Sequence, residues 1–156
     1  MIDEFEADHD VIQKLRQIFN ENRDKRILVL GTTCAGKSTL VKCMPECLDQ
    51  DDICWALLPK ELEEKLSKGS WTGEMIKAWN THVENATQIV EIKAGRPLFA
   101  GSIFKSDIII YMNISEKILR ERTKKRSIAY EAASNYNEVI KEKLKSIDIP
   151  VIVIDI

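Results

Sequence analysis

Ile27-Leu28-Val29-Leu30-Gly31-Thr32-Thr33-Cys34-Ala35-Gly36-Lys37-Ser38-Thr39-Leu40-Val41 runs from an apolar stretch through a glycine-bounded turn into a second apolar stretch. Residues 31–38 fit G-x-x-x-x-G-K-[ST], the pattern of a phosphate-holding loop between a strand and a helix. Gly31 and Gly36 permit the tight turn. The backbone N–H groups of Thr32, Thr33, Cys34 and Ala35 can then converge on phosphate oxygens. Lys37 is spaced to reach β- and γ-phosphates, Ser38 to place its hydroxyl on magnesium, and Thr39 continues the cradle into the helix. The expected ligands are ATP and Mg2+.

Outward from that loop, a chain of 156 residues with 44% hydrophobic and 31% charged content is expected to form one domain, residues 1–156, around an ordinary core. A formal net charge of -2 offers no global attraction for nucleic acid or an anionic membrane, so any polyanion must meet a local patch. Cys34, Cys43, Cys47 and Cys54 show no C-x-x-C spacing, and the first residues are acidic where a secretory signal would be basic and then apolar. Reduced thiols and a cytoplasmic location are the expectation. Cys34 reads as a small filler of the loop whose thiol, near Lys37, is also a candidate for oxidation. No apolar stretch approaches membrane-spanning length, so no membrane partner is expected.

Hydrophobic spacing predicts an amphipathic helix over residues 8–24, a central strand at Ile27 to Leu30, and a helix from Lys37 stopped by Pro45. A short strand near Cys47 and Leu48 is expected to enter an acidic turn, Asp49-Gln50-Asp51-Asp52. Helices over residues 59–68 and 72–93 follow, then strands at 97–100 and 107–114. Ser115 should cap a helix over 116–126, residues 128–146 read as a further helix, and Val151-Ile152-Val153-Ile154 as a fifth, buried strand. Strands alternating with helices imply a parallel sheet with helices on both faces.

Two further constellations carry chemistry. In open α/β sheets ligands bind outside the carboxyl ends of the strands, which puts Asp49, Asp51 and Asp52 beside the phosphate loop. Asp51 is the candidate base for a hydroxyl acceptor, Asp49 a candidate magnesium ligand through water alongside Ser38, and Asp52 a candidate helix cap. Arg122 and Arg126, four apart on a basic helix, share a face and are candidates to clamp phosphate and meet charge developing during transfer. Lys117, Arg120, Lys124 and Lys125 read as a solvated face. Gly101-Ser102 is expected to be a substrate-facing turn. Trp71 and Trp79 read as packing residues, His82 as a surface histidine, and Arg96 and Lys105 as weak candidates.

The loop, the Asp49-Gln50-Asp51-Asp52 turn, and Arg122-Thr123-Lys124-Lys125-Arg126 after Ile110-Tyr111-Met112-Asn113-Ile114 together resemble the small P-loop kinases, which include nucleoside monophosphate, shikimate, gluconate and polynucleotide 5′-hydroxyl kinases. The resemblance implies a three-layer P-loop NTPase fold, a parallel five-stranded sheet of order 2-3-1-4-5, ATP with magnesium as donor, acceptor-binding helices within residues 59–93, and an arginine-bearing lid at residues 120–130. Asp51 matches the acidic base of hydroxyl-phosphorylating members, and Arg122 and Arg126 match the paired lid arginines. The chain departs from the pattern where Leu98-Phe99-Ala100-Gly101 ends without the usual Walker B acid, and in a very short lid between Arg126 and Tyr130.

The reaction expected is transfer of the γ-phosphoryl group of ATP to the hydroxyl of a small metabolite or nucleotide-like acceptor. The alternatives are a nucleoside monophosphate kinase, a nucleotide-binding regulatory ATPase without an acceptor, and a polynucleotide 5′-hydroxyl kinase acting on a nucleic acid end. The chain has neither the N-K-x-D nor the D-x-x-G sequence of a GTPase.

Overall fold

The computed structural model describes residues 9–156. In chain order the elements are α1 (His9–Glu21), β1 (Ile27–Leu30), α2 (Lys37–Cys43), β2 (Leu48–Asp49), α3 (Gln50–Ala56), α4 (Lys60–Leu66), α5 (Gly73–Ile89), β3 (Leu98–Ala100), β4 (Ile108–Asn113), α6 (Glu116–Lys125), α7 (Tyr130–Leu144) and β5 (Val151–Asp155). All five strands run parallel in the order β2-β3-β1-β4-β5. That is the α/β architecture and strand order expected.

The pleat of β1 explains the layers. Successive side chains point to opposite faces, so Ile27 and Val29 face one side and Leu28 and Leu30 the other. All four are buried, which requires cover on both sides. Val11, Leu15 and Phe19 of α1, Leu40 of α2 and the following Met44 cover the first face. Cys54 of α3, Val83 and Ala86 of α5, and Ile140 of α7 cover the second. Leu28 lies level with Leu98 on β3 and Ile109 on β4, so the sheet itself closes the core sideways.

Where the structure differs from the sequence reading, local chemistry gives the reason. The helix expected over residues 8–24 spans His9–Glu21, and residue 8 lies outside the described residues. Gln50, Asp51 and Asp52 form the first turn of a helix, α3, not a loop: Asp49 accepts a 2.9 Å hydrogen bond from the Asp51 N–H as its N-cap. Acids favour a first helical turn as much as a loop, because the helix dipole is positive there. Asp49 therefore takes the capping role that the sequence assigned to Asp52. Pro59 and Thr72 precede α4 and α5 as their caps, and Thr72 Oγ1 accepts from the Met75 N–H at 3.2 Å. The helix expected to run to residue 93 ends at Ile89, since Lys93 pairs with Arg96 in an isolated bridge. β5 is an edge strand with Val153 exposed, so its apolar run is only half covered and not buried as expected. Ser115 caps α6 as expected, accepting from the Ile118 N–H.

At the amino ends of the strands, Arg26 and Asp107 tie β1 to β4. The Arg26 guanidinium donates to both carboxylate oxygens, at 3.1 and 2.8 Å, and the Arg26 backbone N–H donates at 2.8 Å. Among the described residues no helix is long and apolar enough to cross a membrane.

Candidate functional site

At the opposite, carboxyl end of the sheet, residues 31–36 leave β1 and turn into α2. Gly36 has φ 96°, the left-handed region that glycine enters without penalty. A Cβ on Gly31 would stand 3.1 Å from the Ala35 Cβ, so the loop closes on itself only because that position is bare. Cys34 also takes a positive φ, 66°, and its side chain is buried with Ile114, Leu119 and Ala133. That is the filler role expected for it. Two side chains hold the loop from α6 and α7. Thr32 Oγ1 donates to the Ala133 carbonyl at 2.7 Å, and Arg122 Nη1 donates to the carbonyls of Ala35 at 2.9 Å and Cys34 at 3.3 Å.

The carbonyls of Cys34 and Ala35 are thus taken up by α6, and the Thr32 hydroxyl by α7. Among the described residues, no hydrogen bond is made by the backbone N–H groups of Thr33, Cys34, Gly36, Lys37 and Ser38. These donors suit an anion cradle, one that leaves out Ala35, whose N–H donates to the Thr32 carbonyl at 3.1 Å and not, as expected, toward phosphate. Lys37 Nζ folds over it, donating to the carbonyls of Gly31 at 2.6 Å and Thr32 at 2.7 Å. Burial pushes the Lys37 ammonium down to about 8, against the pull of Asp51 and Asp49, and Arg126 adds to the depression. A partly buried ammonium beside N–H groups that make no hydrogen bond is suited to an anion.

Ser38 Oγ donates to Asp49 Oδ2 at 3.2 Å, while Asp49 Oδ1 caps α3. The hydroxyl and carboxylate predicted to share magnesium therefore meet at the foot of the loop, as a hard oxygen pair suited to that cation. No group of three or more His, Cys, Asp or Glu that could hold a metal occurs among the described residues. A cation here would draw its other ligands from water and phosphate, the usual habit of magnesium.

A cleft of about 440 Å³ opens over the loop, lined by Thr33, Cys34, Gly36, Lys37, Ser38 and Thr39 on one side and by Asp51, Trp79, Gly101, Arg126 and Tyr136 on the others. Asp51 is among its lining residues. Its carboxyl is raised above the ordinary carboxylate range, first by partial desolvation and then by the neighbouring charges of Asp49 and Asp52; Lys37 opposes that shift. The arginine pair is split. Arg126, the residue after α6, lines the cleft, whereas the Arg122 guanidinium rests on the loop carbonyls. Arg120 pairs with Glu116 and lies over the Tyr130 ring at 3.9 Å, the solvated role expected of the remaining basic residues.

Compared with protein-family models and with curated proteins, the sequence matches none.

Sequence reasoning missed several residues that shape the cleft. Gln50 is buried, and its Oε1 accepts from the N–H groups of Gly101 and Ser102 at 3.1 and 3.0 Å, fixing the turn after β3. Tyr136 donates its hydroxyl to the Gly101 carbonyl from α7. Gly101 and Ser102 face the cleft as expected. Gln50 was legible in principle, as the one amide in an acidic run at a strand end; Tyr136 carries no such local signal. His82 is not a surface histidine: its Nε2 lies 2.6 Å from the Cys54 carbonyl, and its ring packs 5.9 Å from Trp79. Trp55, unremarked in the sequence, joins Trp71 and Trp79 in one cluster. Arg96 points at the Glu46 carbonyl, and neither it nor Lys105 lines the cleft.

Proposed function

We propose that this protein is a phosphotransferase of the small P-loop kinase kind, moving the γ-phosphoryl group of ATP to the hydroxyl of a small molecule. The observation that carries the reading is that one cleft is lined both by the anion cradle of residues 33–38 and by Asp51, a carboxylate with a raised proton affinity. A switch that only binds nucleotide has no use for a base at that point.

In the reaction the acceptor oxygen bonds to the γ-phosphorus as the bond to the β,γ-bridging oxygen breaks, and ADP leaves. Asp51 takes the hydroxyl proton. Its raised carboxyl is a better base than that of an ordinary aspartate. Lys37 and the loop N–H groups meet charge on the phosphates, and Arg126, lining the same cleft, adds a further cation. Magnesium would be held by Ser38 directly and by Asp49 through water, and would neutralise phosphate charge when bound. Arg122 acts one step back: it holds the loop in the shape that aims those donors.

A second reading is a nucleotide-binding ATPase without an acceptor. It is favoured by β3 ending at Ala100-Gly101, with no carboxylate to complete a magnesium site. Transfer of labelled γ-phosphate from ATP across a panel of hydroxyl compounds separates the two: labelled product supports the kinase, inorganic phosphate alone the ATPase. Asp51→Asn is expected to lower kcat about 10²- to 10⁴-fold with nucleotide binding intact. The acid limb of kcat/KM should lie above the ordinary aspartate range in the native protein, because activity is lost as falling pH protonates Asp51, and it should vanish in the variant. Near-normal turnover by Asp51→Asn would remove the base from the mechanism.

A further inference from the structure

Next to the cleft, and sharing Asp51 and Trp79 with it, lies an open recess of about 470 Å³ lined by Asp51, Asp52, Trp55, Trp71 and Trp79. These are all three tryptophans of the chain. α3 brings Trp55 and the two carboxylates, α5 brings Trp79, and Trp71 is fixed from the turn before α5 by its indole N–H on the Leu66 carbonyl at 2.9 Å. Trp79 is central: its ring lies 6.1 Å from Trp55 and 5.8 Å from Trp71, tilted 46° and 55° to them.

Resting on the kinase reading above, we infer that the acceptor is an organic cation, a hydroxyl compound bearing an ammonium group that this recess holds. Three observations point the same way. The indole face carries negative potential and is the best aromatic partner for a cation, above all a bulky alkylated ammonium. Two carboxylates stand at the rim, and no lysine or arginine lines the recess, so a phosphorylated or carboxylated acceptor would meet only repulsion there. The mutually tilted rings present faces at several angles, suited to a rounded group that touches more than one of them. Because Asp51 belongs to both spaces, an ammonium seated in the recess presents a hydroxyl a few bonds away to the base and to the loop. Asp52 then supplies countercharge, while Asp51 does the proton transfer.

All three tryptophans line this recess, and only Trp79 also lines the cleft, so in the absence of nucleotide their emission reads probe binding apart from turnover. The probes are choline and 3,3-dimethylbutan-1-ol, which share a shape and a hydroxyl and differ in charge. With the full chain, choline is expected to change the emission saturably and at least about tenfold tighter than its neutral isostere. Asp52→Asn, at an exposed position, should bring that ratio toward one, and Trp55→Leu, with the native ring 38% exposed, should weaken choline binding without unfolding the chain, checked by circular dichroism. Equal affinity for the two probes, or no saturable response, overturns the assignment. Incubation with ATP and magnesium then tests the other half. Cation binding without a phosphate ester leaves the recess assigned and overturns the kinase reading, while an ester formed on the neutral alcohol, without charge selectivity, does the reverse.

Discussion

At the scale of single residues, the site is built by placing polar groups where they are costly. Lys37 is the clearest case: its ammonium is pushed down to about 8 by burial, which means the fold disfavours the proton that phosphate binding needs. Between about 8 and 10.5 the unfolded chain holds a proton that the native chain has released, so this residue makes stability rise with pH across that window. Cys47 and Cys54 act oppositely. Burial raises their thiols to about 12 and about 11, so the stability they contribute is full below 9 and fades as pH rises further. The Lys37 contribution therefore has to be read as a difference. Urea unfolding of the native chain and of Lys37→Met is expected to give stabilities that diverge from pH 8 to 10.5, the native chain gaining relative to the variant. A constant difference would mean that Lys37 has an ordinary ammonium. The same variant is expected to lose nucleotide binding.

Among the elements, α6 and α7 set the shape of the loop. The resemblance implies an arginine-bearing lid at residues 120–130; in the structure α6 packs on α7, and Cys34 is buried with Leu119, Ala133 and Ile114. The Arg122 guanidinium fits because Gly36 lacks a side chain, a Cβ there standing 3.1 Å from Nη1. Arg122→Met is expected to cost about 1–3 kcal/mol, from two lost charged hydrogen bonds, and to speed hydrogen exchange at Gly31 and Ala35, whose N–H groups are hydrogen-bonded, together with residues 123–132. Arg122→Lys should not rescue it, since an ammonium lacks the planar guanidinium fork. Unchanged exchange would mean that the loop holds its own shape. This tether also shows what was legible. Gly31, Gly36, Lys37 and Ser38 announce themselves, because the loop's chemistry is encoded in consecutive residues. The face shared by Arg122 and Arg126 was legible too, as helical spacing, but not its division of labour, which depends on where α6 docks. Helix α3 was hidden because Asp49 serves equally well as a turn residue and as a cap. The tryptophan recess was hidden because its walls come from three separate segments.

Across the whole molecule, the sheet separates two tasks. Its carboxyl end carries the cradle, Asp51 and the cleft; its amino end carries the Arg26 and Asp107 pair, which locks β1 beside β4. The hydrogen bonds and charge of Arg26 hold the Asp107 carboxyl down to about 2, below the 3.8 of a free aspartate. The stability this supplies is present above pH 4 and is lost as pH falls toward 2. Asp107→Asn should therefore melt lower at pH 7, with the gap to the native chain closing on acidification. Nucleotide binding, at the far end of the sheet, should be untouched. The complementary measurement works from the other end. ATP with magnesium at 100 times its dissociation constant should stabilise the fold by about 2.7 kcal/mol, a rise in Tm of about 5–10 °C for a chain of this size. That shift should be equal in the native chain and in Asp107→Asn, and absent in Lys37→Met. If Asp107→Asn reduced it, the strands would transmit strain from one end of the sheet to the other, and the two ends would not be independent.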